Sequence, residues 1–328
     1  MGDAILCTPA LRALRERFNS SRITFSANRV VRDVLSPGGF NDRWVEQTGK
    51  NPFTMSRNLK KYGFTHAILF KNSFASALTV FLAGIPSRIG YARDGRSILL
   101  TERLDPPKLP NGRFKPVSMI DYYLAIPSAL GSRIENKTLD VPINPQASER
   151  LKDTLPEVVN ATGPIVVLVP GGAFGPSKCW ASENFARTAD WLVANYNATV
   201  VVSVSPEPGE KKIAAEIYNL SRHELVNLAD KPVSISELKA LFAKAELIIS
   251  NDTGPRHIAI GLRRKVVTLF GPNNPAWTET GYENEIKIVG QAPCAPCHRP
   301  ICKKPEHLCM QSISVQMVCN AAAELLSK

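Results

Sequence analysis

The stretch Ile165-Val-Val-Leu-Val-Pro-Gly-Gly-Ala-Phe-Gly-Pro-Ser-Lys-Cys-Trp180 places five consecutive apolar residues directly before a glycine-rich turn. An apolar run of this length, bounded by turn residues, predicts a fully buried strand, and such strands are typical of parallel sheets. Three further runs of this kind follow, at Thr199–Val204, Glu246–Ser250 and Lys265–Phe270. Amphipathic helices are predicted between them, so this half of the chain is α/β, with helices on both faces of a parallel sheet.

The upstream half of the chain is less regular, and no strand is predicted at its start. Met1–Pro9 runs directly into a helical pattern. Further along, the sequence predicts strands at Ile23–Ser26 and Thr65–Phe70, a helix at Ser73–Ala83, mostly loops over 86–120 and a proline-rich linker at Leu139–Pro164. For a chain of 328 residues, these patterns predict two domains, 1–160 and 161–328.

Composition excludes several classes of protein. Apolar residues make up 44% and charged residues 21%, values that argue against a disordered chain, a collagen or a coiled coil. The longest apolar run, Ala77–Ile85, is far shorter than the roughly 18 residues of a membrane span. With no signal-peptide pattern, we expect a cytoplasmic protein. Lysine and arginine number 40 against 29 acids, and this net charge of +11 favours anionic partners.

The glycine-rich turn of the opening stretch is the first corner suited to a diphosphate. Gly171, Gly172 and Gly175 let main-chain amides approach an anion, while Ser177 and Lys178 add a hydroxyl and a positive charge. The turn matches neither a Walker loop nor the dinucleotide fingerprint. The structural alternative is a flexible turn with a solvated lysine.

The second corner is Ser250-Asn-Asp-Thr-Gly-Pro-Arg-His257, between a predicted strand and a helix at Pro255–Leu262. Ligands of parallel sheets bind outside the carboxyl ends of the strands, where helix amides and the helix dipole favour an anion. The structural alternative is that Asp252 or Thr253 is an ordinary N-cap. That alternative does not account for His257.

A catalytic base is harder to identify from the residues alone. Asp3 follows Gly2 just before a helix, where a carboxylate could accept a proton from a hydroxyl. The alternative is a solvated acid near a frayed terminus. No Asp-x-Asp pair occurs in the sequence, which argues against a transferase that holds Mg²⁺ beside a sugar nucleotide.

Four of the seven cysteines lie within 16 residues, at Cys294, Cys297, Cys302 and Cys309. Four thiols can hold one structural zinc, although the spacing differs from that of a zinc ribbon. The alternative is four reduced thiols packed in a small loop.

Together these motifs resemble glycosyltransferase family 9, the ADP-heptose:lipopolysaccharide heptosyltransferases, and within it most resemble heptosyltransferase II. The resemblance spans nearly the whole chain. Its motifs are Gly2-Asp3, Asn72-Ser-Phe74, Ala83-Gly-Ile-Pro86, Pro170-Gly-Gly-x-Phe-Gly-Pro-x-Lys-x-Trp180, Asn251-Asp-Thr-Gly-x-x-His257 and Phe270-Gly-Pro272.

The resemblance implies a GT-B fold, with two Rossmann-like domains facing each other across a cleft. Residues 1–160 would bind the acceptor, and residues 161–328 would bind the ADP-sugar and end in a helix that crosses back. The implied reaction is an inverting, metal-independent transfer of heptose from ADP-L-glycero-D-manno-heptose to heptosyl-Kdo-lipid A, with no cofactor. The alternative is another GT-B transferase with a different nucleotide-sugar donor.

The same resemblance implies roles for individual residues. Asp3 matches the proposed general base, Lys178 the diphosphate-binding lysine, and Glu210 an acid that binds the ribose, with Glu207 as a competitor. The implied donor corner consists of Asp252, Thr253, Gly254 and His257. Charge and location alone suggest that three arginines bind acceptor anions: Arg88, Arg93 and Arg96.

The implied setting is the cytoplasmic face of the inner membrane, where an anionic lipid A acceptor suits the positive net charge. Family members carry a strand before the Gly-Asp turn, so we expect the native start to lie upstream of Met1. The alternative is a truncated, poorly active protein. Two other classes are disfavoured. A nucleic-acid binder would interleave basic and aromatic residues, but aromatics are only 7% of the chain. A nicotinamide oxidoreductase would carry the glycine fingerprint.

Overall fold

The computed structural model describes residues 1–49, 51–304 and 306–328. The helices are α1 (Gly2–Leu6), α2 (Thr8–Arg17), α3 (Arg29–Leu35), α4 (Pro52–Lys60), α5 (Phe74–Leu82), α6 (Met119–Ala129), α7 (Pro145–Thr154), α8 (Pro156–Val159), α9 (Ser182–Tyr196), α10 (Pro208–Leu220), α11 (Ile235–Lys244), α12 (Gly254–Gly261), α13 (Leu308–Gln311) and α14 (Val315–Leu326). The strands are β1 (Thr24–Ala27), β2 (Arg43–Glu46), β3 (His66–Leu69), β4 (Ser87–Tyr91), β5 (Glu102–Leu104), β6 (Ile165–Val169), β7 (Thr199–Val202), β8 (Val226–Asn227), β9 (Leu247–Asn251), β10 (Lys265–Phe270) and β11 (Glu285–Val289).

The C-terminal half is built on a six-stranded parallel sheet with the order β8-β7-β6-β9-β10-β11. The chain moves outward from β6 on one side and then returns to β9 to build the other side. This is the doubly wound order, and its switch point lies between β6 and β9. The predicted parallel sheet is confirmed, and its four predicted strands are each within two residues of their observed bounds.

The faces of this sheet are covered by different helices. The side chains of β6 point alternately to two hydrophobic cores, one on each face of the sheet. Val166 and Leu168 pack with α9, α10 and α14 on one face, whereas Val167 packs with α11 and α12 on the other. This alternation explains why every residue of β6 is apolar and buried. The buried side chains of α14 lie in the core of the C-terminal half.

The N-terminal half contains two smaller parallel sheets, β1-β2 and β3-β4-β5. The predicted strands and the helix at 73–83 are confirmed within one or two residues, and Met1–Pro9 is helical rather than extended. The prediction of mostly loops over 86–120 is wrong where β4 and β5 lie. Ser87-Arg-Ile-Gly-Tyr91 lacks the pattern of a buried strand, and its extended form depends on pairing with β3. The linker contains both α7 and α8.

The halves meet closely where α1 packs against α12. A Cβ atom at Gly254 would lie 3.1 Å from the Cβ of Met1, and one at Gly2 would lie 3.0 Å from the imidazole of His257. Glycine at both positions therefore allows the helices to approach. A second contact joins α11 to α3, where the Lys239 ammonium donates to main-chain carbonyls of the N-terminal half. Within the described ranges, no helix has both the length and the apolar character needed to cross a membrane.

Candidate active site

The two predicted phosphate corners are neighbours in the structure. One follows β6 and the other follows β9, the two strands that flank the switch point. The side-chain amide of Asn251, at the end of β9, donates to the Pro170 carbonyl at 2.6 Å, which ties the corners together. Ligands of doubly wound sheets bind in the crevice at this point.

Lys178 is buried between these corners. Its ammonium donates to a carboxylate oxygen and to the main-chain carbonyl of Asp252, both at 2.7 Å. Burial raises the pKa of Asp252, but Lys178 and Arg256 together outweigh burial and hold this pKa below its usual value. Asp252 is therefore an anion that orients Lys178. Lys178 uses two of its three N–H donors on this residue.

Glu210 lies beneath the first corner and organises it. One carboxylate oxygen accepts the Gly172 N–H at 3.1 Å, and the other accepts the Ser205 N–H at 2.7 Å. A Cβ atom at Gly171 would overlap the Glu210 carboxylate, so glycine is required there. Each carboxylate oxygen can still accept a further hydrogen bond, as a ribose hydroxyl would require.

The far side of the first corner is fastened to the cysteine-containing segment. The Ser177 hydroxyl donates to the Arg299 carbonyl at 2.5 Å, and the Ser177 N–H donates to the Pro300 carbonyl at 3.2 Å. The carbonyl of Ser177 lies 2.7 Å from Nε2 of His307. Ser177 thus holds the loop in place, and its hydroxyl is already engaged with a protein carbonyl.

Thr253 is the N-cap residue of α12, and no side-chain capping bond is found there in the described structure. The first amides of α12, beginning with Gly254, are therefore open to an anion. His257 follows one turn later and is only 3% exposed. Burial, followed by the charge of Arg256, lowers the pKa of His257 to about 3, so its imidazole is neutral at ordinary pH.

Asp3, on α1, is exposed to solvent and lines a cleft together with Lys178 and Thr253. Its carboxylate accepts the hydroxyl of Tyr123 at 3.2 Å. Burial raises the pKa of Tyr123, so this phenol remains a donor. A carboxylate held by one phenol and otherwise open to the cleft is suited to accept a proton from a bound hydroxyl.

A single cleft of about 270 Å³ is lined by residues from both halves of the chain. This volume is near the lower end of the range for small-molecule sites, about 300–1,000 Å³. Its lining includes Asp3, Lys178, Thr253 and His257, which the sequence analysis had singled out in three separate segments. It also includes Asn273 and Trp277, which that analysis missed. Their signal was their position just after β10.

The three predicted acceptor arginines differ in their surroundings. Arg96 is fully buried and donates to the carbonyls of Tyr91 and Lys71, so it is structural. Arg88, near the start of β4, donates to the carbonyls of Leu99 and Ile85. Both guanidiniums are thus engaged by carbonyls of their own half.

Arg93 is different. It is half-exposed, with its guanidinium carbon 4.0 Å from the centre of the Phe114 ring. Its Nε is buried and has no partner among the described residues. No such unpartnered buried nitrogen is found on Arg88 or Arg96 in the described part of the chain.

The cysteine cluster is partly assembled. Cys294, Cys297, Cys302 and Cys309 all line one small cavity beside Ser177. Across residues 1–49, 51–304 and 306–328, however, no three cysteine, histidine or acidic side chains form a metal-ligand set. The four cysteines thus lie near one another, as the sequence predicts. A tetrahedral set of zinc ligands is not found among the described residues.

Comparison with known proteins places this site in a family. A family model for glycosyltransferase family 9 (heptosyltransferase) matches residues 53–307. The lipooligosaccharide heptosyltransferase 2 of Campylobacter jejuni is 23% identical over 99% of this chain and 96% of its own. That of Haemophilus ducreyi is 30% identical over 85% of this chain and 82% of its own.

Solved structures share the fold. A family 9 glycosyltransferase from Veillonella parvula aligns with a TM-score of 0.83 and 20% identity over 99% of this chain and 94% of its own. Escherichia coli ADP-heptose lipopolysaccharide heptosyltransferase II aligns with a TM-score of 0.81 and 22% identity over 99% and 96%. The predicted α/β GT-B fold is confirmed. Because the family model covers most of the sequence, the chain belongs to glycosyltransferase family 9 and is a glycosyltransferase.

Proposed function

We propose that this enzyme transfers heptose from ADP-L-glycero-D-manno-heptose to the heptosyl-Kdo-lipid A core in lipopolysaccharide biosynthesis, with inversion and without a metal cofactor. The observation that carries the proposal is that Asp3 and Lys178 line the same cleft. A carboxylate and a cation thus both border the space where a sugar would react. The relatives named lipooligosaccharide heptosyltransferase 2 support heptose transfer to such a core, and the similar Escherichia coli structure named ADP-heptose lipopolysaccharide heptosyltransferase II supports the donor.

In the proposed reaction, the Asp3 carboxylate takes the proton from an acceptor hydroxyl as its oxygen attacks the anomeric carbon. The new C–O bond forms on the face opposite to ADP, and the bond between that carbon and the diphosphate oxygen breaks, which inverts the configuration. Lys178 and the open amides of α12 stabilise the charge that develops on ADP. Tyr123 keeps the Asp3 carboxylate in position through its hydrogen bond.

The donor is held by groups at the carboxyl edge of the six-stranded sheet. The amides of the Gly171–Gly172 turn and of the Thr253–Gly254 corner bind the diphosphate. Glu210 keeps the first turn in shape and accepts a hydroxyl of the ribose. Because Lys178, helix amides and the helix dipole supply positive charge, transfer requires no bound Mg²⁺.

The acceptor binds to residues 1–160, and the donor binds to residues 161–328. Arg93 binds an anionic group of the acceptor, and the net charge of +11 draws the enzyme to the anionic lipid surface at the cytoplasmic face of the inner membrane. Nucleic acid is not a partner in this proposal.

The cysteine segment supports the first corner through Ser177 and takes no part in the chemistry. The thiols serve this role as reduced side chains packed around a cavity, or as ligands of one structural zinc. Metal analysis of the purified protein distinguishes the two states, because it yields about one zinc per chain or none.

The test is release of ADP from ADP-heptose, with and without the heptosyl-Kdo-lipid A acceptor, in excess EDTA. Wild type, Asp3→Asn and Asp105→Asn are compared, the last removing an exposed carboxylate outside the cleft. We expect acceptor-dependent release that persists in EDTA, is lost in Asp3→Asn and is unchanged in Asp105→Asn. NMR of the product defines the anomeric configuration. Transfer only from another nucleotide sugar would replace the proposed donor, and dependence on a divalent cation would refute the metal-free step.

A further inference from the structure

The segment that follows β10 forms a wall of the cleft for which the proposed mechanism has no role. It runs from Gly271 through a 3₁₀ turn at Pro275–Thr278, and both Asn273 and Trp277 line the cleft. Since β10 is the neighbour of β9 in the sheet, this wall stands next to the Thr253 corner. Its residues Asn273 and Trp277 share the cleft lining with Thr253 and Asp3.

The wall is held rigidly from both sides. The Thr278 hydroxyl donates to the Asp252 carboxylate at 3.3 Å, which ties the wall to the residue that orients Lys178. The next residue, Glu279, accepts Lys287 with its carboxylate at 2.5 Å. Its main-chain carbonyl accepts the Ser118 hydroxyl of the N-terminal half at 2.6 Å. Side chains on this wall are thus preorganised relative to both halves.

The side chains of the wall suit a sugar better than a phosphate. The Asn273 Oδ1 atom is buried and accepts no hydrogen bond from any described residue. An unsatisfied buried acceptor requires a donor, which a sugar hydroxyl supplies and a phosphate oxygen does not. Trp277 adds a large apolar ring, the surface on which the C–H face of a sugar packs.

A second residue of the cleft lining also has a buried polar atom without a hydrogen-bond partner among the described residues. The Nδ1 atom of His257 is buried without a partner in the described part of the chain, on a ring that lines the same cleft. Buried polar groups are normally satisfied, and a hydroxyl group of a bound ligand can pair with either of these two atoms.

We propose that Asn273 and Trp277 form a sugar-recognition wall, in which Asn273 accepts a hydrogen bond from a hydroxyl of the transferred sugar and Trp277 packs against its C–H face. This inference rests on the proposed function, and it assigns specificity for the sugar, rather than for the nucleotide, to the segment after β10.

The test separates binding of the nucleotide from recognition of the sugar. For wild type, Asn273→Ala and Trp277→Leu, calorimetry measures the Kd of ADP, and steady-state kinetics measures kcat/KM for ADP-heptose. We expect kcat/KM to fall about 10- to 100-fold in Asn273→Ala, the range for one lost hydrogen bond at a buried acceptor. The Kd of ADP should stay within about twofold, because the proposed contact is to the sugar. Asn320→Ala, an exposed asparagine on α14, is the matched control.

Two results would overturn the proposed role of the wall in sugar recognition. One is an unchanged kcat/KM in both variants, and the other is a loss of ADP affinity that parallels the loss of kcat/KM. The second result identifies a structural role for the segment. If wild type binds ADP but transfers no heptose, the proposed function fails while the wall is still tested by binding. In that case, nucleotide-linked sugars are compared with their free nucleotides, and the additional affinity from the sugar must disappear in Asn273→Ala.

Discussion

The two sides of the cleft are built by different means. On the donor side, the reactive groups lie at the ends of β6 and β9, strands whose residues are all buried in one six-stranded sheet. On the base side, Asp3 lies on the five-residue helix α1, which packs against α12 of the other half. The proposed donor corners therefore depend on the sheet of their own half, whereas the proposed base depends on contact between the halves.

The partners of buried cations also differ between the two regions. In the C-terminal half they meet carboxylates: Lys178 binds Asp252, and Arg256 binds Glu285 at 2.6 and 2.9 Å with both side chains fully buried. In the N-terminal half and at the contact between the halves they meet carbonyls, as Arg96 and Lys239 do. Carboxylate pairs respond strongly to loss of one partner, whereas carbonyl-bound lysine responds to pH.

The largest expected effect comes from breaking the buried carboxylate pair. Glu285→Ala removes both hydrogen bonds of the fully buried Arg256 and leaves it only the Asp252 carboxylate, 3.6 Å away, so the free energy of unfolding should fall by about 3–5 kcal/mol. Urea denaturation measures this loss. Glu324→Ala removes an exposed partner of Lys328 and should cost less than about 1 kcal/mol. Equal losses in the two variants would show that the donor side does not depend on this pair.

The next effect concerns charge at the diphosphate. Lys178→Met should lower kcat about 10²–10³-fold, or about 3 kcal/mol of transition-state stabilisation, because one cation directed at the leaving group is lost. Rapid-quench measurement of heptose transfer would show this change in the chemical step. Lys212→Met, which removes an exposed lysine of α10, is the control. A rise in KM alone would assign Lys178 to ground-state binding.

The contribution of Lys239, at the contact between the halves, to the free energy of unfolding should depend on pH. Burial lowers the pKa of Lys239 to about 8, against about 10.4 in an unfolded chain. Between these values the unfolded chain binds more protons, so this lysine makes the free energy of unfolding rise with pH, by at most about 1.4 kcal/mol per pH unit.

The Lys239→Met variant lacks this ammonium group, and all its other titrating residues are the same as in wild type. Urea denaturation from pH 7 to 10 should therefore show wild type gaining stability relative to the variant above about pH 8. Parallel curves across this range would contradict the prediction.

The smallest expected effect is on the position of the base. Tyr123→Phe removes the hydroxyl that Asp3 accepts, and kcat should fall by a factor of about 5, or about 1 kcal/mol. The Kd of ADP should not change, because the donor corners are untouched. Tyr62→Phe, at an exposed tyrosine, serves as the control. A loss of more than about 100-fold would indicate that Tyr123 contacts the substrate itself.

Much of the C-terminal sheet could be predicted because its strands are uniformly apolar and bounded by turns. The strands that the prediction missed are short or mixed in character, such as β2, β5 and the two-residue β8. Their hydrogen bonds come from neighbouring strands, so their own residues carry little signal. The arginines show a similar limit, since charge alone did not distinguish buried Arg96 from half-exposed Arg93.

The sequence by itself determined the α/β class, the two candidate phosphate corners and the acid after Gly2, because glycine turns, buried runs and charged residues have local physical meaning. Only the tertiary structure decided that the corners adjoin at the switch point, that Asp252 orients Lys178, and that Asp3 shares their cleft. Those relations depend on strand order and on the glycine contact between α1 and α12, which join residues about 250 positions apart. The wall containing Asn273 and Trp277 likewise acquires its place only because β10 pairs with β9.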